Sequence, residues 1–354
     1  MSAPVLFVPA SGPTGSGEYY RCLALARALK RRSPDLEIAF VLNRSARVER
    51  DPAFACYDIG ATPARAGSEV AALLEQIRPA LAVFDCTGRV AHFRQVRRQG
   101  GQVVWVSNRP NKRRRGFSLR VLRWIGLHLM ADQPPGAPRL SRRERLALRL
   151  AGSARVVSVG VIAPETEAPA GPAQDQGQGQ GAYAVFVAGG GGYRHAGRPV
   201  PEIFLDAALA FRRRTGLAAK VVLGPQYTGS VTGHDEVEVI GSLPTLELSR
   251  LLAGAELAVV GAGYMLSSQA LSVPTPAVVV AVGGSDQPER VKRLDRAGLA
   301  EAARLDSEDM AARAARLVEE DGRGHRQRLA RESAGVSNAV GPAAEALLEL
   351  IDSQ

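Results

Sequence analysis

Short apolar runs alternate along this chain with longer stretches in which apolar positions recur every three or four residues. The first half reads as strand at Val5–Pro9, amphipathic helix over 18–32, strand over 36–42, helix over 67–77, strand at Leu81–Asp85, helix over 89–99 and strand at Gln102–Ser107. A strand over 155–161 closes it. The rhythm restarts with strand 183–188, helix 200–214, strands 219–224 and 237–240, and helix 244–253. Strand 256–260 then runs into Gly261-Ala-Gly263 and a helix over 264–272, followed by strand 276–282 and helix 286–297. Helices over 307–320 and 336–352 finish the chain. Uninterrupted apolar runs suit strands covered on both faces, and their alternation with helices predicts parallel sheets joined by right-handed crossovers.

Between the two halves, residues 164–182 carry no large apolar side chain. Such a segment gains too little from burial to offset its ordering entropy, so it reads as a flexible linker. The expected organisation is an N-terminal domain over 1–163, the linker, a C-terminal domain over 183–335, and a last helix in 336–354 that packs back on the N-terminal domain. A length of 354 residues fits two domains. With 45% hydrophobic and 23% charged residues the composition is that of a globular protein. No apolar run approaches the roughly 20 residues of a membrane span, and no basic segment precedes an apolar core at the start, which predicts a cytoplasmic location. Cys22, Cys56 and Cys86 are scattered and unpaired in sequence, as reduced thiols are, and do not form a zinc signature.

The net charge of +10 changes the picture of the surface. Arginine and lysine crowd 94–98, 109–123 and 139–149. One reading is a solvated face; the other is an anionic partner. Nucleic acid is disfavoured, because aromatic residues are not interleaved with the basic ones and no nucleic-acid-binding motif is present. Lys112–Arg115 directly precedes an apolar stretch over 117–130, so this segment reads either as an interfacial element on an anionic membrane, making the protein peripheral on the inner face, or as a buried helix.

The candidate chemistry lies in turns that follow strands. Gly12-Pro-Thr-Gly-Ser-Gly17 is not a P-loop, because Glu18 and Tyr19 stand where Lys and Ser or Thr must hold phosphate and Mg²⁺. A dinucleotide site is also weakly supported: the turn lacks G-x-G-x-x-G, and the second strand ends in Leu42-Asn43-Arg44 without an acid for ribose. The strand–turn–helix at 256–272 is different. Gly263, Tyr264, Met265, Leu266 and Ser267 form a helix start, where unpaired N–H groups and the positive dipole end can hold a diphosphate. A second glycine turn at Gly189, Gly190 and Gly191 lets a ligand approach the backbone. Asp286 and Gln287 arrive at a strand's carboxyl end, where open α/β sheets bind ligands. His195 reads as an exposed loop residue.

The stretch Gly15-Ser16-Gly17-Glu18-Tyr-Tyr-Arg21-Cys-Leu-Ala-Leu-Ala resembles the G-x-G-H-x-x-R-C-L-x-L-A pattern of the pseudaminic-acid-pathway UDP-sugar hydrolase. Segments 243–252, 263–269 and 286–290 resemble the donor sites of that hydrolase and of the lipid-II-forming N-acetylglucosaminyltransferase. The resemblance covers most of the chain. It implies an α/β fold of GT-B architecture, two Rossmann-like domains with parallel sheets facing a central cleft. It also implies a nucleotide-sugar donor, expected as a UDP-sugar, held by Leu243, the 263–267 turn, Gln269 on ribose, and Asp286, Gln287 and Arg290 near the sugar. Two positions depart from the group: Glu18 replaces the water-activating His, and Gln269 replaces a ribose-binding Glu.

The expected activity is metal-independent, inverting transfer of a hexosyl or N-acetylhexosaminyl group to an acceptor hydroxyl, with a lipid-linked acceptor as one candidate. Gly15, Ser16 and Gly17 would form the acceptor loop. Glu18 is the first candidate for the base and Asp85 the second, with Arg21 neutralising the diphosphate. No cofactor beyond the donor is expected. A nucleotide-sugar hydrolase and a non-catalytic nucleotide-sugar binder are the alternatives.

Overall fold

The computed structural model describes residues 4–10, 12, 17–46, 48–131, 140–152, 154–164, 182–231, 233–319 and 323–353. Gly15 and Ser16 of the expected acceptor loop, and nearly all of the expected linker, lie outside the described residues. The chain divides into two compact units, Met1–Ala163 with Asn338–Gln354, and Pro164–Ser337.

The first unit runs β1 (Val5–Pro9), α1 (Gly17–Arg32), β2 (Ile38–Asn43), β3 (Ala55–Ile59), α2 (Gly67–Ile77), β4 (Leu81–Asp85), α3 (Val90–Arg98), β5 (Gln102–Ser107), α4 (Pro110–Gly116), α5 (Leu119–Leu122), β6 (Leu127–Ala131), α6 (Arg142–Ala151) and β7 (Arg155–Val159). Its seven strands form one parallel sheet in the order β3-β2-β1-β4-β5-β6-β7. Successive side chains of a strand point to opposite faces. Accordingly Val5 and Phe7 of β1 and Leu81 and Val83 of β4 enter one core with α1, while Leu6, Val8, Ala82 and Phe84 enter the other, with Val70 and Leu74 of α2 and Phe93 of α3. That two-sided burial explains why these strands are apolar throughout.

The second unit runs β8 (Tyr183–Val187), β9 (Arg194–His195), β10 (Arg198–Pro199), α7 (Val200–Thr215), β11 (Ala218–Val222), β12 (Glu238–Ile240), α8 (Thr245–Ala253), β13 (Leu257–Gly261), α9 (Tyr264–Ser272), β14 (Ala277–Val280), α10 (Gln287–Arg296), β15 (Glu301–Ala303), α11 (Ser307–Glu319) and α12 (Arg323–Ser333). Six of its strands form a second parallel sheet, β12-β11-β8-β13-β14-β15. The last helix, α13 (Val340–Asp352), belongs to the first unit, where Val340, Ala343, Ala344 and Leu347 join the core beside α1. Val161 pairs with Asn338, and Asn338 also exchanges side-chain hydrogen bonds with the backbone of Ala163, which ties the two ends of that unit together.

The stretch 117–130 is not a continuous helix, and most of its apolar side chains face the core of the first unit. It contains the single turn α5 and the strand β6, and Phe117, Val121, Leu122, Ile125, Leu127, Leu129 and Met130 are all buried in the first unit. No helix among the described residues is long and apolar enough to cross a membrane.

Candidate functional site

In each sheet the strand order reverses once. Open α/β sheets bind ligands at the carboxyl ends of the two strands flanking such a reversal. In the second unit those strands are β8 and β13. The loop after β8 holds Gly189, Gly190 and Gly191; the turn after β13 holds Ala262 and Gly263 and opens directly into α9.

The loop after β8 touches the loop after β11 backbone to backbone. The Gln226 N–H donates to the Gly190 carbonyl at 2.8 Å. A Cβ on Gly191 would stand 2.5 Å from the Leu223 oxygen, and one on Gly224 would stand 2.3 Å from the Gly189 oxygen, with both glycines at positive φ. Loop-to-loop contact therefore accounts for Gly191, whereas the space beside Gly263 is open. Gly263 is the N-cap of α9 and its helix start carries no side-chain cap. Farther along α9, Ser267 is spent on the helix itself: its N–H and its hydroxyl both donate to the Gly263 carbonyl. The opposite end of α9 meets a cation. The buried Arg331 of α12 donates to the carbonyls of Ala270, Val273 and Thr275 through one nitrogen and to Leu299 through another. A positive charge at a helix C-terminus offsets the negative dipole end.

Gln269 is buried, and its amide nitrogen donates to the Thr245 carbonyl at 3.0 Å and to the Ser249 hydroxyl at 2.8 Å, leaving its carbonyl oxygen outside these bonds. Gln287 uses the other end: its carbonyl oxygen accepts from the N–H groups of Val282 and Gly283. Arg290 is also buried and braces the turn, donating to the Ala262 carbonyl at 2.7 Å and to Asp286 at 2.6 Å, with its guanidinium 5.9 Å from the Tyr264 ring centre. Leu243 is half-buried just before α8, and Met265 and Leu266 are buried in the first turn of α9. The ring of Tyr193, exposed at the end of the glycine loop, lies against Gly283, where a Cβ would come within 2.3 Å of it. His195 is exposed.

In the first unit the reversal lies between β1 and β4, with Pro9 registered against Asp85. Arg21 and Asp85 meet here in a bidentate pair, Nε to Oδ2 at 2.8 Å and a terminal nitrogen to Oδ1 at 2.6 Å, and neither side chain is exposed. The Cys22 thiol donates to the same carboxylate, and burial pushes the Cys22 and Cys86 thiols well above their usual range. Asp85 thus has its oxygens turned to protein donors and away from any solvent-borne acceptor. Arg21 likewise faces Asp85 and not a diphosphate. Glu18 differs: it sits in the first turn of α1, partly exposed, and accepts from Arg109, the residue before α4.

The basic run on α4 is scaffolding for this end of the sheet. Lys112 donates to the Cys86 carbonyl and Arg115 to the Gly88 carbonyl, so both hold the loop after β4, where Cys86 adopts φ +59°. Arg113 forms a two-pronged pair with Glu144 of α6. Sequence reasoning missed Arg109, Arg331, Gln226 and Tyr193, whose partners lie far away along the chain.

No family model and no curated protein sequence matches the chain. Solved structures do. The chain is similar to the spinosyn forosaminyltransferase SpnP, at 14% identity and TM-score 0.67 over 99% of this chain and 100% of that one. It is equally similar to the glycosyltransferase SnogD from Streptomyces nogalater, at 15% identity and TM-score 0.67 over 99% and 100%. A third is the glycosyltransferase VinC in complex with dTDP, at 13% identity and TM-score 0.63 over 99% of each chain. The fold is the GT-B fold of these glycosyltransferases, two Rossmann-like units each built on a parallel sheet.

Proposed function

We propose that the protein is a glycosyltransferase that moves a sugar from a nucleoside-diphosphate sugar to an acceptor hydroxyl. The observation that carries this reading is the start of α9: an uncapped helix N-terminus at the reversal of the second sheet, beside a loop whose backbone is already fixed. Preorganised N–H dipoles aimed at a leaving diphosphate stabilise the charge that develops there. The first turn of α9 and Gly189–Gly190 would hold the diphosphate, Leu243 the base, the Gln269 carbonyl oxygen a ribose hydroxyl, and the Gln287 amide nitrogen the sugar. Asp286 would orient Gln287 from the start of α10, and Arg290 acts as a brace on the turn. UDP is the expected carrier. The dTDP bound to VinC extends the candidates to both pyrimidine diphosphates.

Glu18 is the proposed base, taking the acceptor proton while the anomeric carbon is attacked in line, with inversion and without a metal. Asp85 and Arg21 are proposed as positioning residues that fix the end of β4 against α1. The narrower kinship with the lipid-II-forming and pseudaminic-acid enzymes rests on the Gly15–Ala26 and donor-segment likeness alone.

Calorimetric titration of UDP and dTDP into the full chain in the presence of EDTA tests the site. Binding is expected without metal, Gln269→Ala should weaken UDP itself, and Gln287→Ala should change the preference among UDP-sugars while leaving UDP affinity intact. Equal loss of every ligand in both variants contradicts the division of roles. Incubation of UDP-sugars with enzyme and water alone should leave the donor intact; release of free sugar would instead make the protein a hydrolase.

A further inference from the structure

We infer that the outer face of α6, together with α5, is a contact surface for an anionic lipid membrane. The helix has an unusual place in the fold: none of its residues is fully buried, so it adds little to the core. It is nevertheless held firmly. Ser141 and Glu144 form a reciprocal capping box, Gly152 ends the helix in a left-handed cap, and Arg113 of α4 grips the Glu144 carboxylate, which holds that carboxyl below its usual range. Its inner side, Ala147, Leu148 and Ala151, packs against the cluster containing Val121, Leu122 and Trp124.

What faces outward is not the ordinary polar surface of such a helix. Leu146 and Leu150 are 57% and 66% exposed, the two most exposed large apolar side chains among the described residues. They stand one turn apart on one face. Arg142, Arg145 and Arg149 line a shallow recess with Leu146, and Arg143 is exposed beside them. The helix has one acid, Glu144, and Arg113 neutralises it. The short α5, which packs against α6, adds exposed Leu119, Arg120 and Arg123. Thus three of the six exposed large hydrophobic residues among the described residues share two touching elements with six exposed arginines.

Charge complementarity selects the occupant. An acidic protein would pair with the arginines but gives no reason for two leucines projecting between them at full length. Anionic phospholipid satisfies both: headgroup phosphates pair with guanidinium groups while the leucines enter the acyl boundary. Low overall hydrophobicity with a basic, leucine-bearing face is the composition of helices that lie in the membrane plane and do not cross it. Of the stretch 109–130 this surface takes only the exposed Leu119, Arg120 and Arg123, because Phe117, Val121, Leu122, Ile125, Leu127, Leu129 and Met130 are committed to the core. It does not depend on the proposed transfer reaction.

The test is flotation of the full-length protein with vesicles of phosphatidylcholine alone or mixed with phosphatidylglycerol. The protein should float with the anionic vesicles at low salt, and much less with the neutral ones or at high salt. Leu146→Gln with Leu150→Gln leaves the charge unchanged and should raise the lipid concentration for half-binding roughly tenfold or more. Arg145→Gln with Arg149→Gln should do the same, whereas Arg97→Gln with Arg98→Gln, an equal charge loss at exposed positions on α3, should have little effect. Absence of flotation at low salt overturns the inference. So does equal weakening by the two arginine pairs with no effect of the leucines, which would make the attraction a diffuse property of the net charge. Melting temperatures of the variants verify that they remain folded, and the lipid and salt dependence of the unaltered protein stands without them.

Discussion

Three carboxyl or imidazole groups in the first unit look interchangeable as chemistry and are separated by their surroundings. Glu18 is partly exposed and opposed by a single arginine, whereas Asp85 is sealed against Arg21. Their substitutions should therefore fail in different ways. Glu18→Gln should reduce kcat by roughly 10²–10⁴-fold with the melting temperature nearly unchanged. Asp85→Ala leaves a buried guanidinium without its carboxylate and should cost about 3–5 kcal/mol of stability in urea unfolding. A Glu18→Gln enzyme with normal turnover would return Glu18 to the role of a helix-start carboxylate. The third group is His128, which no sequence signal marks. It is fully buried in β6, bonded through Nε2 to the Ser107 hydroxyl at 2.9 Å, with Nδ1 lacking a hydrogen-bond partner. Burial lowers its titration from 6.5 to about 3, with the Arg113 charge adding in the same direction. Between those values the unfolded chain takes up a proton that the folded one refuses. Stability is therefore lost as pH falls from about 6.5 towards 3, at about 1.4 kcal/mol per pH unit from this group. His128→Gln should flatten the slope of urea midpoint against pH in that window; an unchanged slope would assign the acid lability elsewhere.

At the scale of elements, the proposed donor cradle depends on contacts between loops more than on any one side chain. Gly224 is at φ +95° with its Cβ direction blocked 2.3 Å away by the Gly189 oxygen. Gly224→Ala should cost roughly 1–3 kcal/mol in backbone strain alone and weaken UDP binding, although residue 224 is expected to touch no ligand. Intact UDP affinity in a destabilised variant would show that the loop after β8 keeps its shape without its neighbour. The elements legible in the sequence were those buried on two sides or strongly amphipathic, such as β1, β4, β13, α1 and α7. The strand β3 was missed because it is a half-exposed edge with a mixed sequence. β6 was hidden because its apolar residues follow without a break from those of the turn that includes α5. α12 escaped because RGHRQRLARES has no apolar periodicity; its binding to the fold comes from Gln327 and Arg331 reaching backbone carbonyls. Strand ends bearing glycine or acid were visible as candidate sites. Which partner each residue takes was not visible, because Glu18 with Arg109 and α9 with Arg331 are separated by roughly the length of several elements.

For the whole molecule, the return of α13 to the first unit means that the chain's last segment completes the core of its first. Removing 338–354 would strip Val340, Ala343, Ala344 and Leu347 from beside α1. With about 1.5–3 kcal/mol for each large side chain fully buried, Val340 and Leu347 alone account for about 3–6 kcal/mol, near the lower end of the whole stability of a domain. The truncated protein should lose the first unit's melting transition in calorimetry yet still bind UDP; loss of both would mean the units do not fold independently. The charge of +10 also divides unevenly, since Arg21, Arg290 and Arg331 are buried, and Arg113 and Arg115 are committed to internal partners. One further property belongs to the binding event as a whole. The loop after β8 is wedged between the end of β13, where a Cβ on Gly261 would lie 2.7 Å from the Ala188 oxygen, and the loop around Gly224. A cradle locked in this way has already given up its conformational freedom before a nucleotide arrives. Association then carries little ordering entropy, so it should follow a single kinetic phase, with a heat-capacity change set by the ligand surface covered and not by refolding of the loops.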